Sequence, residues 1–82
     1  MAEQSALELF RLAVNAAQAR DIPKARQLIQ ASIRKDPTNH MAWLIFASVA
    51  ETKRNQLISL KKVLELDPNN KQALKMVRDL GV

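Results

Sequence analysis

The residues that could do nucleophilic, acid–base or metal chemistry are few in this chain of 82 residues. It has no cysteine, which excludes disulfides, thiolate catalysis and Cys-ligated zinc or iron. His40 has no second metal ligand nearby in the sequence, and Ser32, Ser48 and Ser59 lack a histidine and acid partner set. With one glycine, Gly81, the chain has no glycine-rich phosphate loop. We therefore expect a protein that is not an enzyme and that uses no metal and no cofactor.

The composition is typical of a small helical domain. Apolar residues make up 48% and charged residues 26% of the sequence, the balance of a folded chain. Ala, Glu, Lys, Leu and Arg fill about half of the positions, which is typical of long helices. The longest apolar run, residues 41–50, is shorter than the roughly 18 residues that span a bilayer, and no secretory signal is present. We expect a cytoplasmic protein, or an excised fragment of a larger one, with no membrane span.

Three prolines, Pro23, Pro37 and Pro68, divide the chain into helical segments. The residue before a proline is driven away from helical geometry, and the Asp, Asn and Thr residues near these boundaries are good helix caps. Gly81 is a suitable C-terminal stop for the last helix. The predicted helices cover about residues 3–19, 23–35, 39–51, 53–66 and 71–80.

Two of these boundaries repeat each other. Asp36-Pro37 and Asp67-Pro68 lie 31 residues apart, and each closes a helical hairpin before a new helix begins. A period of about 30 to 40 residues in a helical chain is typical of a solenoid. The sequence therefore predicts an all-α fold, an α-solenoid of two antiparallel helical hairpins followed by a C-terminal capping helix.

The pattern resembles the tetratricopeptide repeat family over nearly the whole chain. In the first repeat, residues 6–39, the signature positions hold Leu9, Leu12, Ala13, Ala16, Ala25, Ile29 and Ser32. In the second repeat, residues 40–70, they hold Trp43, Phe46, Ala47, Ala50, Leu60 and Val63. The third unit, residues 71–80, has one helix and is expected to cap the open end. The resemblance implies a single domain with a right-handed superhelix and a core position for Trp43.

The second and third units depart from the family pattern. The second repeat is about three residues shorter than the usual repeat of about 34, and we place the loss between Ala50 and Leu57, which implies a tighter turn there. Gln56 stands where a small residue is usual in the second helix, and Arg78 does so in the capping helix.

The hairpins are expected to leave an apolar strip uncovered. Leu7, Phe10 and Val14 share a face of the first helix that its hairpin partner does not cover, and the third helix is apolar nearly all round. The resemblance places such residues on a concave surface, where the family binds extended or helical peptides. The implied groove positions are Leu7, Phe10, Arg11, Val14, Met41, Leu44, Ser48, Gln72 and Lys75.

The chemistry of this groove restricts the kind of partner. Members of the family that bind a C-terminal carboxylate use lysines and asparagines here, whereas this chain has Phe10, Val14, Leu44 and Ser48. An amphipathic helix or peptide, a neighbouring domain of the same polypeptide, or a second copy of the chain suits an apolar groove. The alternative is that these residues complete the core, with the fifth helix folding over Met41 and Leu44.

The net charge of +5 raises nucleic acid as a competing partner. Basic residues are concentrated on the second and fourth helices, which are the outer, convex ones in such a solenoid. The three aromatic residues include two at core positions, so base-stacking side chains are scarce. The charges therefore favour a solvated face over phosphate binding, and we expect a protein partner, with a homodimer and nucleic acid as the alternatives.

Overall fold

The computed structural model describes residues 4–81, and these form five α-helices. The predicted all-α class, two helical hairpins followed by a terminal helix, is confirmed for this part of the chain. Residue 3, the predicted start of the first helix, lies outside the described residues. The helices are α1 (Ala6–Gln18), α2 (Ile22–Lys35), α3 (His40–Val49), α4 (Lys53–Leu66) and α5 (Lys71–Asp79).

Each helix begins after a polar residue that accepts a backbone N–H of the first turn. At α1 the Ser5 hydroxyl accepts from Glu8 N at 3.1 Å, and the Glu8 carboxylate accepts from Ser5 N at 3.4 Å. This capping box fixes the start of α1 at Ala6. The other four N-caps are Asp21, Asn39, Thr52 and Asn70. Such caps contribute about 1 kcal/mol each, which explains why the helix starts are sharply defined.

The α1–α2 turn is closed by backbone hydrogen bonds around Arg20. Its φ of 63° is in the left-handed region, where glycine is the usual residue. The Arg20 N–H donates to Ala17 O at 3.0 Å, and the Asp21 N–H donates to Ala16 O at 2.9 Å. These two bonds form a Schellman motif, which satisfies carbonyls at the end of α1.

The second hairpin is shorter than the first because α3 is short. α1 has 13 residues and α3 has 10, while the turns within the two hairpins, residues 19–21 and 50–52, have equal lengths. The prediction of a tighter turn between Ala50 and Leu57 is therefore wrong. Ala50 adopts extended backbone (φ −64°, ψ 141°), which ends α3 after 10 residues, about one turn shorter than α1.

The Arg26 side chain, which comes from α2, contacts the C-terminal end of α3. Its Nε donates to Val49 O at 2.9 Å, and its Nη1 lies 2.8 Å from the Glu51 Oε1. The guanidinium thus satisfies a carbonyl at the C-terminal end of α3, where a positive charge is also favoured by the helix dipole.

The core consists of two clusters that meet at α3. The first joins α1, α2 and α3 around the fully buried Ala13, Ala25 and Ile29. The second joins α3, α4 and α5 around Leu60 and Val63. Helices pack mainly on their sequence neighbours, and the described residues extend over 45 × 24 × 18 Å.

Ser32 and Leu12 were both predicted to pack between α1 and α2, and they differ in burial. Ser32 is buried as expected, and its hydroxyl donates to Ala6 O at 2.7 Å, which ties α2 to the start of α1. Leu12, also predicted to pack against α2, is 39% exposed. It lines a partly polar depression together with Asn15 of α1 and Leu28 of α2.

Candidate protein-interaction surface

The apolar groove residues predicted on α1 and α3 are covered to different extents. Leu7 is 52% exposed and Met41 is 41% exposed, whereas Phe10 and Val14 are half-buried. Phe10 packs against the first core cluster, so it is both a core and a surface residue. α1 and α3 are in contact with each other. We call Leu7, Phe10, Val14 and Met41 the α1–α3 strip.

Leu44 does not belong to this open surface. It is 6% exposed and lies in the second core cluster with Leu60, Val63 and Ala73. The alternative of core completion by the fifth helix therefore holds for Leu44, because α5 contributes Ala73 to the same cluster. It does not hold for Met41, which stays exposed.

The polar groove positions are all exposed, but they are not gathered into one site. Ser48 Oγ donates to Ile45 O at 2.7 Å, so its hydroxyl is satisfied within its own helix. Arg11 is on α1, while Gln72 and Lys75 are on α5, which packs chiefly on α4. These three side chains are solvated and would contribute contacts only at the borders of a bound partner.

Trp43 is held by a polar contact as well as by packing. It is half-buried beside the second core cluster, and its Nε1 donates to Pro37 O at 2.7 Å. Its ring lies 6.4 Å from that of Phe46 at an angle of 46°. The hydrogen bond orients the indole toward the turn between the hairpins, in agreement with the predicted packing role.

A second apolar surface, which the sequence reasoning missed, lies between α4 and α5. This groove has a volume of about 490 Å³, and we call it the α4–α5 groove. Leu74, one turn before Val77 on α5, is 44% exposed. Leu74 and Val77 follow Trp43 and Phe46 by 31 residues, so the repeat itself was a signal that α5 has a hairpin-forming face. The lining residues are Leu57, Lys61, Leu64, Glu65 and Val77.

The charges on the described residues are only partly compensated. Arg26 is paired with Glu51, and Lys62 lies 3.5 Å from Glu65 on the same helix. Lys61, beside Leu57 in the α4–α5 groove, has no ion pair within residues 4–81. The groove therefore has an apolar lining with one cation that makes no such pair, Lys61, and one carboxylate, Glu65, that pairs with Lys62.

The histidine and the carboxylates within residues 4–81 are not clustered in groups of three or more. Residues 4–81 contain no group of three or more His, Asp or Glu side chains that could hold a metal ion. His40 Nε2 lies 3.9 Å from the Asp67 carboxylate, at the turn before α5. In the same part of the chain, no buried side-chain nitrogen or oxygen lacks a hydrogen-bond partner.

The equivalent turn between α2 and α3 has a perturbed carboxyl group. The Thr38 hydroxyl donates to Asp36 Oδ1 at 2.6 Å, and the Thr38 N–H donates to the same atom at 3.0 Å. These bonds, the side-chain bond first, lower the pKa of Asp36 below its ordinary value of 3.8 because they stabilise the carboxylate. The role of this group is local, since it holds the turn between the hairpins.

Comparisons with known proteins give no relative from which a function could be transferred. No protein-family model matches the chain, and neither the curated proteins nor the solved structures contain a significant match. None of the helices within residues 4–81 has the length and apolar character needed to cross a bilayer. The tetratricopeptide resemblance stays a prediction from the sequence pattern.

Proposed function

We propose that this protein is a cytoplasmic, non-enzymatic interaction or assembly module, built from tetratricopeptide-like hairpins, that binds another protein on the α1–α3 strip. The exposure of two large apolar side chains on adjoining helices, Leu7 and Met41, is the observation that carries the proposal. Half-buried Phe10 and Val14 extend the same apolar surface on α1. An amphipathic helix, a peptide or a neighbouring domain would cover it.

The energetics imply a modest affinity for the strip alone. Full burial of a Leu or Met side chain contributes about 1.5 to 3 kcal/mol, and Leu7 and Met41 are already about half covered. Association costs an estimated 4 to 15 kcal/mol before any net affinity appears. A partner must therefore contact more than the strip, for example the exposed Arg11 and Ser48 at its borders.

The strip is also the natural contact for a homodimer, whereas nucleic acid is the weaker alternative. Arg26 is bound to Val49 O and Glu51, and Lys62 is paired with Glu65, so two cations of the predicted basic helices serve the fold. Phe10, Trp43 and Phe46 are half-buried, which reduces their availability for base stacking. These observations favour a protein partner.

The proposal is tested with Leu7→Glu, using Leu12→Glu as the matched control on the same helix. Both side chains are exposed, at 52% and 39%, but only Leu7 belongs to the strip. In affinity capture followed by mass spectrometry, we expect the unmodified chain and Leu12→Glu to retain the same partner and Leu7→Glu to lose it. Thermal melting followed by circular dichroism should show all three chains folded.

Sedimentation velocity at several concentrations distinguishes a homodimer from binding to a different protein. A dimer that Leu7→Glu dissociates would identify the partner as a second copy. If Leu7→Glu and Leu12→Glu behave alike in both experiments, the strip is not the binding surface and the proposed function is wrong.

A further inference from the structure

The helix α5 has an apolar face without the covering helix that α1 and α3 possess. On α1 the corresponding face is covered by α2, whose Ala25 and Ile29 are fully buried. On α3 it is covered by α4, with Leu60 fully buried. On α5 the equivalent face includes Leu74, which is 44% exposed, and no helix of the described residues lies over it. Val77, three residues further along α5, lines the α4–α5 groove.

The border of this groove is basic. Helical spacing places Lys71 and Arg78 on either side of Leu74 on α5, three and four residues away, and Lys61 lies beside Leu57 on α4. None of these three cations has an ion pair within residues 4–81. Glu65, the acidic member of the lining, is already paired with Lys62 at 3.5 Å.

We propose that the α4–α5 groove binds an acidic amphipathic α-helix from a partner protein, in the position that α2 has on α1. The inference rests on the proposed function, because it assigns a second contact surface and a partner chemistry to the same interaction module. Apolar side chains of that helix lie against Leu57, Leu64 and Val77 of the lining. Its carboxylates lie near Lys61, which lines the groove, and near Arg78, which follows Val77 on α5.

Charge complementarity separates this occupant from a second copy of the chain. A second copy that presented the same face would bring three more cations, Lys61, Lys71 and Arg78, with one lining carboxylate, Glu65, so like charges would outnumber opposite ones. A small-molecule ligand is also a poor match, since such sites fix their ligand with several convergent polar groups. Here the polar lining consists of two side chains, Lys61 and Glu65, both exposed.

The chain itself provides the template for the stripe of the bound helix. α2 covers α1 with Ala25, Ile29 and Ser32, which are at positions i, i+4 and i+7 and at most 1% exposed. Each of the three is either small or apolar. A probe peptide of about 18 residues, long enough to form a helix, carries the same stripe with glutamates on its flanks. A matched peptide has lysine in place of each glutamate.

The experiment measures fluorescence anisotropy of the labelled peptides with the full chain at about 0.02 M and about 0.5 M salt. We expect the acidic peptide to bind and the lysine peptide to bind at least about tenfold more weakly at low salt, because of the basic border. Leu74→Glu should weaken the acidic peptide by about tenfold or more, since it places a carboxylate on the apolar surface. Lys61→Glu should weaken it by about fivefold at low salt and less at high salt.

Leu7→Glu is the control, because it disrupts the α1–α3 strip and should leave peptide binding to the groove unchanged. Binding lost with Leu7→Glu and kept with Leu74→Glu would overturn the groove inference while supporting the proposed function. Equal affinity for the two peptides, no binding of either, or a dimer that Leu74→Glu dissociates would also overturn it. Lys61→Glu, at an exposed position, keeps the test decisive if Leu74→Glu does not fold.

Discussion

The α1–α2 hairpin and the α4–α5 pair treat the same kind of helix face in opposite ways. In the first, α2 closes over α1 so completely that Ala13, Ala25 and Ile29 have no exposed surface. In the second, Leu74 is 44% exposed and Val77 lines an open groove. The helices pack mainly on their sequence neighbours, and of the two faces the one on α5 is the less covered.

Residue size explains part of this difference. The close contact of α1 with α2 needs small side chains, and Ala13 meets a helix that has Ala25 at the contact. At the position of α5 that corresponds to Ala13, the chain has Arg78, an exposed cation. A helix bound to α5 would therefore meet a cation at the position where α2 meets Ala13.

The largest expected contrast is in stability. Ile29→Ala should lower the free energy of unfolding by about 2 to 5 kcal/mol, because it creates a cavity in a fully buried site. Leu74→Ala, on the exposed face of α5, should change it by less than about 1 kcal/mol. Urea denaturation followed by circular dichroism measures both. Similar losses for the two variants would mean that the α4–α5 groove is closed in solution.

A smaller effect is expected at the turn that closes the first hairpin. Arg20→Gly should raise the free energy of unfolding by about 0.5 to 1 kcal/mol, since glycine adopts the left-handed conformation without the steric cost that a side chain has. Gln18→Gly, within α1, is the control and should lower it by about 1 kcal/mol. A lower free energy of unfolding for Arg20→Gly in the same experiment would contradict the inference that the Arg20 backbone is strained.

The smallest effect concerns the turn that joins the two hairpins. The pKa of Asp36 is lowered in the folded state, so its bonds to Thr38 stabilise the fold at pH values above 3.8, the ordinary pKa of the group. This stabilisation is lost as the pH falls through the lower folded-state pKa. Thr38→Val removes the hydroxyl, the larger cause, and should raise the pKa of Asp36 toward 3.8 in an NMR titration. Thr38→Ser keeps a hydroxyl and should retain the lowered pKa; equal values in both variants would contradict this cause.

The helix boundaries could be predicted because they depend on local chemistry. Pro37 and Pro68 act through the geometry of the preceding residue, and caps such as Thr52 and Asn70 act within one turn. α4 accordingly has the predicted bounds, and Gly81 ends α5 with a φ of 76°. Residues 4 and 5 were predicted to be helical, but α1 begins at Ala6 because the capping box of Ser5 and Glu8 sets its start.

Local chemistry does not show whether an individual apolar residue is buried or exposed. Leu44 and Met41 lie three residues apart on α3, yet one is in the core and the other is exposed. Which of them α4 and α5 cover depends on how the helices are placed against each other, and no local signal encodes that placement. The α4–α5 groove was missed for the same reason, since Leu57 and Leu64 form a surface only together with Val77.

The contact of Arg26 with Val49 O gives α3 a dependence on the hairpin before it. A helix that is capped by its own sequence can form before its neighbours do, but the end of α3 is completed by a side chain from α2. Loss of the first hairpin would leave that carbonyl without its donor and loosen the turn between α3 and α4. The two hairpins should therefore melt as one cooperative unit rather than separately.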